Sequence, residues 1–163
     1  MKALSVRVRK VRKGDIDRIV DIERSWHHLS HWSIDSYYRL LNDDSFTSSF
    51  VAEIGEAEGT AIVGFVIFHV AADSSEIYNI AVESGYARSG IGKQLMKAAI
   101  EESGRKKAGK VILEVRKSNN PAINFYLGFD FRIVGERKNY YSNPIEDAYV
   151  MEYEISDHRS KNS

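Results

Sequence analysis

The stretch Glu76–Ile100, EIYNIAVESGYARSGIGKQLMKAAI, organises the chain. Ile77 to Val82 reads as a strand, and Leu95, Met96, Ala99 and Ile100 fall at the i, i+1, i+4, i+5 spacing of one helical face. Between them lies Arg88-Ser89-Gly90-Ile91-Gly92-Lys93. A strand that feeds a glycine turn into a helix start gathers unpaired backbone N–H groups and the positive end of the helix dipole at one spot. Such a spot suits a phosphate or a pyrophosphate.

On the N-terminal side, Ser5 to Arg12 alternates as an edge strand, and Gly14-Asp15 opens a helix carrying Ile16, Ile19, Val20 and Glu23, with Asp15 as its N-cap. Trp26 to Trp32, WHHLSHW, breaks the period; Ser33 then caps a second helix with Ile34, Tyr37, Tyr38 and Leu41 on one face. Phe50 to Ile54 and Ala61 to Val70 form a hairpin about Gly55–Gly59, and Asp73-Ser74-Ser75 turns into the opening strand. On the C-terminal side, the basic loop Gly104 to Gly109 leads to a strand at Lys110 to Arg116. Asn119-Asn120-Pro121 starts a short helix, where the missing proline N–H costs nothing. Strands at Phe131 to Glu136 and Ala148 to Ile155 follow, joined by Arg137 to Asp147. This order implies an α/β fold with a mixed, mostly antiparallel central sheet and helices on both faces. Its β–α–β step from Ile77 to Val115 requires a right-handed parallel crossover. One domain over 1–155 and a polar, disordered tail over 156–163 is the economical reading.

Composition narrows the function. The chain has 163 residues with 23 Lys+Arg against 23 Asp+Glu, so it lacks the basic excess of a general nucleic-acid binder. It has no cysteine, which excludes disulfides, thiolate nucleophiles and zinc–cysteine sites. The longest apolar stretch, Ala61 to Ala72, is too short to span a bilayer. A soluble, cytoplasmic protein with no membrane or nucleic-acid partner is expected. His27, His28 and His31 lack a standard metal-ligand spacing, so no metal site is expected, and they are read as surface or rim residues.

Three anion-binding patterns compete for the glycine turn. A nucleoside-triphosphate loop needs GxxxxGK followed by Ser or Thr, but Gln94 follows Gly92-Lys93 and Ala87 stands where the first glycine belongs. A dinucleotide fingerprint needs a third glycine where Leu95 stands. The third pattern, Q/R-x-x-G-x-G/A, keeps Gly90 and Gly92 and departs only at Ala87. Together with LEVRKSNNPAINFY, RKNYY, Glu146-Asp147-Ala148 and the Trp32-Ser33 pair, NIAVESGYARSGIGKQLM resembles the GNAT acetyltransferase superfamily, and within it the RimI-type branch of N-terminal protein acetyltransferases.

The resemblance implies the GNAT fold, acetyl-CoA as co-substrate and a role for each matching residue. The backbone of Ile80, Ala81 and Val82 would hold the acetyl group and pantetheine arm. Arg88, Ser89, Gly90, Ile91, Gly92 and Lys93 would hold the pyrophosphate, and Asn119 a further part of the cofactor. Glu114 matches the general base and Tyr126 the general acid, while Tyr140, Tyr141 and Trp32 line the peptide site. Trp26 and Trp32 are read equally as core staples of the first two helices or as the apolar wall of a peptide groove. The basic loop GRKKAGK is read as solvated, with the 3′-phosphate of coenzyme A as the alternative. The family ends its last short helix with Tyr-x-x-x-Gly-Phe; here Asp130 holds the glycine position, so Gly128 is expected to end the helix instead.

The reaction implied is attack of an amine on a thioester. An α-amine titrates near ~7.7–8.0 and a lysine near ~10.4, so an N-terminal acceptor needs only a modest base. The expected activity is acetylation of a protein N-terminal amine, a ribosomal protein's alanine terminus among the candidates. A lysine side chain or small amine as acceptor, and a non-catalytic acyl-CoA-binding module, stand as alternatives.

Overall fold

The computed structural model describes residues 4–26, 32–42 and 47–156. The elements run β1 (Val6–Lys10), α1 (Ile16–Arg24), α2 (Ile34–Asn42), β2 (Thr47–Glu56), β3 (Gly59–Ala71), β4 (Ser74–Val82), α3 (Ile91–Arg105), β5 (Lys110–Arg116), α4 (Asn120–Gly128), β6 (Arg132–Tyr141) and β7 (Glu146–Glu154). The strands form one seven-stranded sheet in the order β1-β2-β3-β4-β5-β7-β6. The β1–β2, β2–β3, β5–β7 and β6–β7 pairs are antiparallel. The parallel step joins Ser74–Glu76 to Lys110–Ile112, as the sequence implies. The mixed sheet, its flanking helices and the element order all follow the sequence reading, and β1 lies at the expected edge. His27, His28, His31 and residues 157–163 of the tail lie outside the described residues.

The chain divides into two compact units, Met1–His69 with Tyr78–Glu101, and Val70–Ile77 with Glu102–Ser163. In the first, Ile16, Ile19, Val20 and Ile22 of α1 and Tyr37 of α2 bury against Val51, Phe65, Ile67 and Ala81. Strand side chains alternate, so Gly64 points the opposite way from Phe65 and Ile67. There it meets α3: a Cβ on Gly64 would lie 3.0 Å from Leu95 Cδ1, 3.4 Å from Ile91 Cγ2 and 3.2 Å from the Ala81 carbonyl. Helices thus cover both faces of this unit's strands. A bulge shifts the β2–β3 register from Ala52↔Gly64 to Glu53↔Ile62, leaving Val63 as the extra residue. Its carbonyl accepts the Glu83 N–H at 2.7 Å.

In the second unit, Val111, Leu113 and Val115 of β5 alternate inward, with Met151 of β7 opposite Leu113, and Ile123, Tyr126 and Phe131 are buried in the same unit. A run of rings, Phe125–Tyr126–Phe131–Tyr153, joins α4 to β7 with centroids 5.4–5.8 Å apart. The buried Ser103 hydroxyl donates to Ser75 at 2.8 Å.

Several details depart from the sequence reading. Asp15 stands at the N-cap of α1, as expected, but makes no side-chain cap bond; its carboxylate accepts the Arg12 N–H at 2.7 Å and two Arg9 hydrogen bonds at 2.7 and 3.0 Å. Ser33 does cap α2, accepting the Ser36 N–H at 3.2 Å. Ile100 is only half-buried, because α3 turns Ile91, Leu95, Met96 and Ala99 inward. Arg137–Asp147 is not a connecting loop: β6 runs on to Tyr141 and β7 starts at Glu146. The polar run RKNYY stays paired because Asn139, at φ +50, bulges and donates its N–H to Asp147 Oδ1 at 2.8 Å.

Gly128 does not end α4 by a left-handed turn; Asp130 itself takes φ +70. Its N–H reaches the Leu127 carbonyl at 3.1 Å, and the Phe131 N–H reaches the Tyr126 carbonyl at 3.0 Å. This is the Schellman closure that a glycine usually makes. A Cβ in the left-handed region and a carboxylate at the negative helix end both oppose it. Asp130→Gly should therefore raise unfolding free energy by about 1 kcal/mol, read as a higher denaturation midpoint at unchanged slope.

Candidate functional site

In the first unit the turn after β4 leads into the exposed start of α3. Ser84–Tyr86 makes a short 3-10 turn, and Arg88 and Gly90 then take φ +63 and +86. Arg88, Ser89 and Gly90 are exposed, and nothing lies within 4 Å of a Cβ placed on Gly90. The Gln94 N–H closes on the Gly90 carbonyl, so Ile91, Gly92 and Lys93 are the first helical residues and their N–H groups have no intrahelical partner. Ser89 spends its hydroxyl on the Tyr86 carbonyl, leaving its backbone for a ligand. The buried Ile91 and Leu95 fix this helix end against Gly64. Positive φ at Arg88, outward-facing N–H groups and two exposed cations, Arg88 and Lys93, fit a pyrophosphate.

Beside the turn, the end of β4 is tied to the helices. The Trp26 indole donates to the Val82 carbonyl at 2.8 Å. Trp32 packs tilted against Tyr37 and Tyr78, with ring centroids 5.5 and 5.8 Å away, and Tyr78 lies flat on His69. Beneath these rings Glu23 is fully buried. Its carboxylate accepts the Trp32 N–H at 2.6 Å and Asn79 Nδ2 at 3.1 Å, and Asn79 Nδ2 also reaches Tyr37 Oη at 3.2 Å. Burial pushes the Glu23 carboxyl up to about 7, against the pull of the Trp32 N–H, Arg24 and Asn79.

In the second unit Glu114 lies on β5 with its carboxylate 3.1 Å from Arg137 Nε; its side chain is 9% exposed, that of Arg137 55%. Tyr140 and Tyr141 meet edge to face at 5.0 Å. Burial first, then Glu114 and Glu76, push the Tyr140 hydroxyl up. Tyr141 is pushed further, again chiefly by burial. The Arg116 guanidinium lies 4.3 Å from the Tyr141 ring centroid and donates to the Pro144 and Ser142 carbonyls at 3.1 and 3.3 Å. Glu146 accepts the Ser118 N–H at 2.7 Å, so the β6–β7 turn is pinned to the end of β5. Tyr126 is buried among Phe125 and Phe131, and burial pushes its hydroxyl up to about 12. Asn119 caps α4, its Oδ1 accepting the Ala122 N–H at 3.3 Å.

The structure thus places Ile80–Val82, the 88–93 turn and Trp32 in one unit, and Glu114, Asn119, Tyr126, Tyr140 and Tyr141 in the other. Sequence reasoning missed the roles of Glu23, Asn79 and Arg137. Glu23 fell on the apolar face of α1, an ionisable residue where Ile16, Ile19 and Val20 pointed inward, and that was its signal. Among the described residues no group of three or more His, Asp or Glu is placed to hold a metal ion, and no helix is long and apolar enough to cross a membrane.

The chain has relatives among known proteins. The acetyltransferase (GNAT) family profile matches residues 16–129, and the chain belongs to that family. A Bacillus subtilis (strain 168) protein, named provisionally as a ribosomal protein bS18-alanine N-acetyltransferase, is 35% identical over 144 residues, 88% of this chain and 92% of its own length. The crystal structure of the Escherichia coli ribosomal-protein-S18-alanine N-acetyltransferase superposes with TM-score 0.79 at 27% identity, covering 98% of this chain and 99% of that one. Arabidopsis thaliana NAA60, solved with acetyl-CoA, shares the fold with TM-score 0.80 at 22% identity, over 93% of this chain and 99% of that one. The chain is an acetyltransferase of the GNAT family.

Two outcomes are expected. Gly64→Ala places a methyl against Leu95 and the Ala81 backbone; it should cost about 1–3 kcal/mol in denaturant unfolding and weaken acetyl-CoA binding in calorimetry. Glu23 binds its proton more tightly folded than unfolded, so its contribution to stability is full below about 4.5 and is lost as pH rises through about 7. Glu23→Gln should remove that component, gaining on wild type by up to about 3 kcal/mol as urea midpoints are compared from acid to mildly alkaline pH.

Proposed function

We propose that this acetyltransferase transfers the acetyl group of acetyl-CoA to the α-amine of a protein N-terminus, a ribosomal protein's alanine terminus being the first acceptor to try. The observation that carries the reading is the α3 start: left-handed Arg88 and Gly90 leading into unpaired N–H groups at Ile91, Gly92 and Lys93. That geometry supports these residues and Ser89 as the pyrophosphate cradle. The backbone of Ile80, Ala81 and Val82 holds the acetyl and pantetheine end, and Asn119 meets the cofactor further along. The names of the Bacillus subtilis and Escherichia coli relatives support an alanine of a ribosomal protein as the acceptor.

The chemistry suits such an acceptor. An α-amine loses its proton near ~8, more than two units below lysine, so a carboxylate already shared with a guanidinium is base enough. Glu114 takes that role, with Arg137 holding it in place. The amine nitrogen forms the new bond to the carbonyl carbon, the C–S bond breaks, and the proton lost from nitrogen leaves through Glu114. A backbone N–H near Val82 meets the oxyanion. Tyr126, held near 12, is a weaker acid than a thiol of about 8.5, so its hydrogen bond stabilises the departing thiolate and complete proton transfer is uphill. Tyr140, Tyr141 and Trp32 supply aromatic walls for the first residues of the acceptor.

The test is acetyl-CoA turnover across peptides with varied N-terminal residues, with products located by mass spectrometry. Acetyl groups found only on lysine side chains or on small amines would overturn the acceptor assignment. Glu114→Gln and Tyr126→Phe should each lower kcat by about 100-fold while acetyl-CoA binding and thermal unfolding stay near wild type. Full activity in both variants would remove their assigned roles.

A further inference from the structure

Glu23 is a fully buried carboxyl group that the transfer chemistry does not use. Burying a carboxyl is costly unless it is fully bonded, and a purely packing role would be served by an apolar side chain on this face of α1. The carboxyl instead joins three elements. One oxygen accepts the Trp32 backbone N–H at 2.6 Å, just before α2; the other accepts Asn79 Nδ2 at 3.1 Å on β4. Asn79 Nδ2 is shared with Tyr37 Oη of α2 at 3.2 Å. Trp32 then lies on Tyr37 and Tyr78, half-exposed, with its ring held from below through its own backbone.

We infer that Glu23 is a positioning residue for acceptor binding: by tying the Trp32 amide to Asn79 of β4 it fixes the Trp32 ring as a wall for the acceptor, without touching acceptor or cofactor. This rests on the acetyl-transfer reading above. The bond pattern predicts how the tie responds to exchange. Glu23→Gln still offers an oxygen to the Trp32 N–H, but turns an N–H₂ group toward the Asn79 N–H₂. Asn79→Asp in the same chain restores a donor facing an acceptor, with the Tyr37 hydroxyl free to donate to the new carboxylate. A role in bulk packing has no reason to follow that exchange.

The experiment is steady-state kinetics of wild type, Glu23→Gln, Asn79→Asp and the double variant, with an alanine-initiated peptide and acetyl-CoA varied separately. Near-ultraviolet circular dichroism reports the Trp32–Tyr37–Tyr78 cluster alongside. Glu23→Gln should raise the peptide KM by about tenfold while the acetyl-CoA KM and kcat stay within about twofold, and alter the aromatic dichroism. The double variant should recover most of the peptide KM and the dichroism, since the two changes are coupled through one hydrogen bond. Equal losses in kcat and both KM values, or a double variant no better than the product of the singles, would overturn the proposal. If wild type leaves N-terminal peptides unmodified but turns over another amine, the acceptor reading fails, and the same comparison with that amine decides the role of Glu23. A single variant that unfolds at the assay temperature shifts the decision to the double variant, whose failure to restore the cluster counts against the tie.

Discussion

The close approach of α3 to β3 at Gly64 governs where the ligand-facing end of α3 can be. Leu95 and Ile91 occupy the space a side chain would take, and the Ala81 backbone closes it from the other side. The field of a helix end fades within its first turn, so a displacement of an ångström or so there changes the attraction for an anion appreciably. An apolar grip on a missing side chain therefore sets an electrostatic property. Arg88 and Gly90 complete the turn in backbone conformations that a regular strand-to-helix connection would avoid, and the rigid helix beneath holds that strain in place.

Buried polarity is handled in two ways. Around β1, Arg9 binds Asp15 at 2.7 Å and Glu53 at 2.9 Å, so opposite charges satisfy one another at the sheet edge. Glu23 accepts the Trp32 N–H and the Asn79 amide, and burial holds its carboxyl at about 7. The first arrangement is a brace. The second couples α1, α2 and β4 through groups whose bonding changes with a single proton, and it lies next to the strand end that Trp26 also grips.

Much of this was legible from residue patterns. The 91–105 helix, the β5 strand at Lys110–Arg116 and the Asn119-capped helix came directly from periodicity, alternation and cap chemistry. The failures have local causes. RKNYY reads as a loop because it is polar, yet a bulge at Asn139 lets it keep pairing with β7. Asp130 reads as a break in the helix-ending rule, yet an aspartate can adopt the left-handed turn at a modest cost and the closure survives unchanged. Tertiary partners of charged side chains were out of reach. Nothing in the strand pattern says that Glu114 meets Arg137, 23 residues away, or that Glu23 meets Asn79, 56 residues away.

Asn119 carries a consequence for chemical discrimination. Its side-chain oxygen is committed to the Ala122 N–H at the start of α4. An amide normally presents both faces, one electron-rich and one hydrogen-bearing. With the first facing its own helix, what it offers outward is the hydrogen-bearing face. The Asn119 amide hydrogens carry no part of that commitment, and hydrogens of this kind suit phosphoryl or carbonyl oxygens. A residue that secures a helix thereby also sets the orientation of its own amide, and with it which edge, oxygen or hydrogen, turns away from the helix.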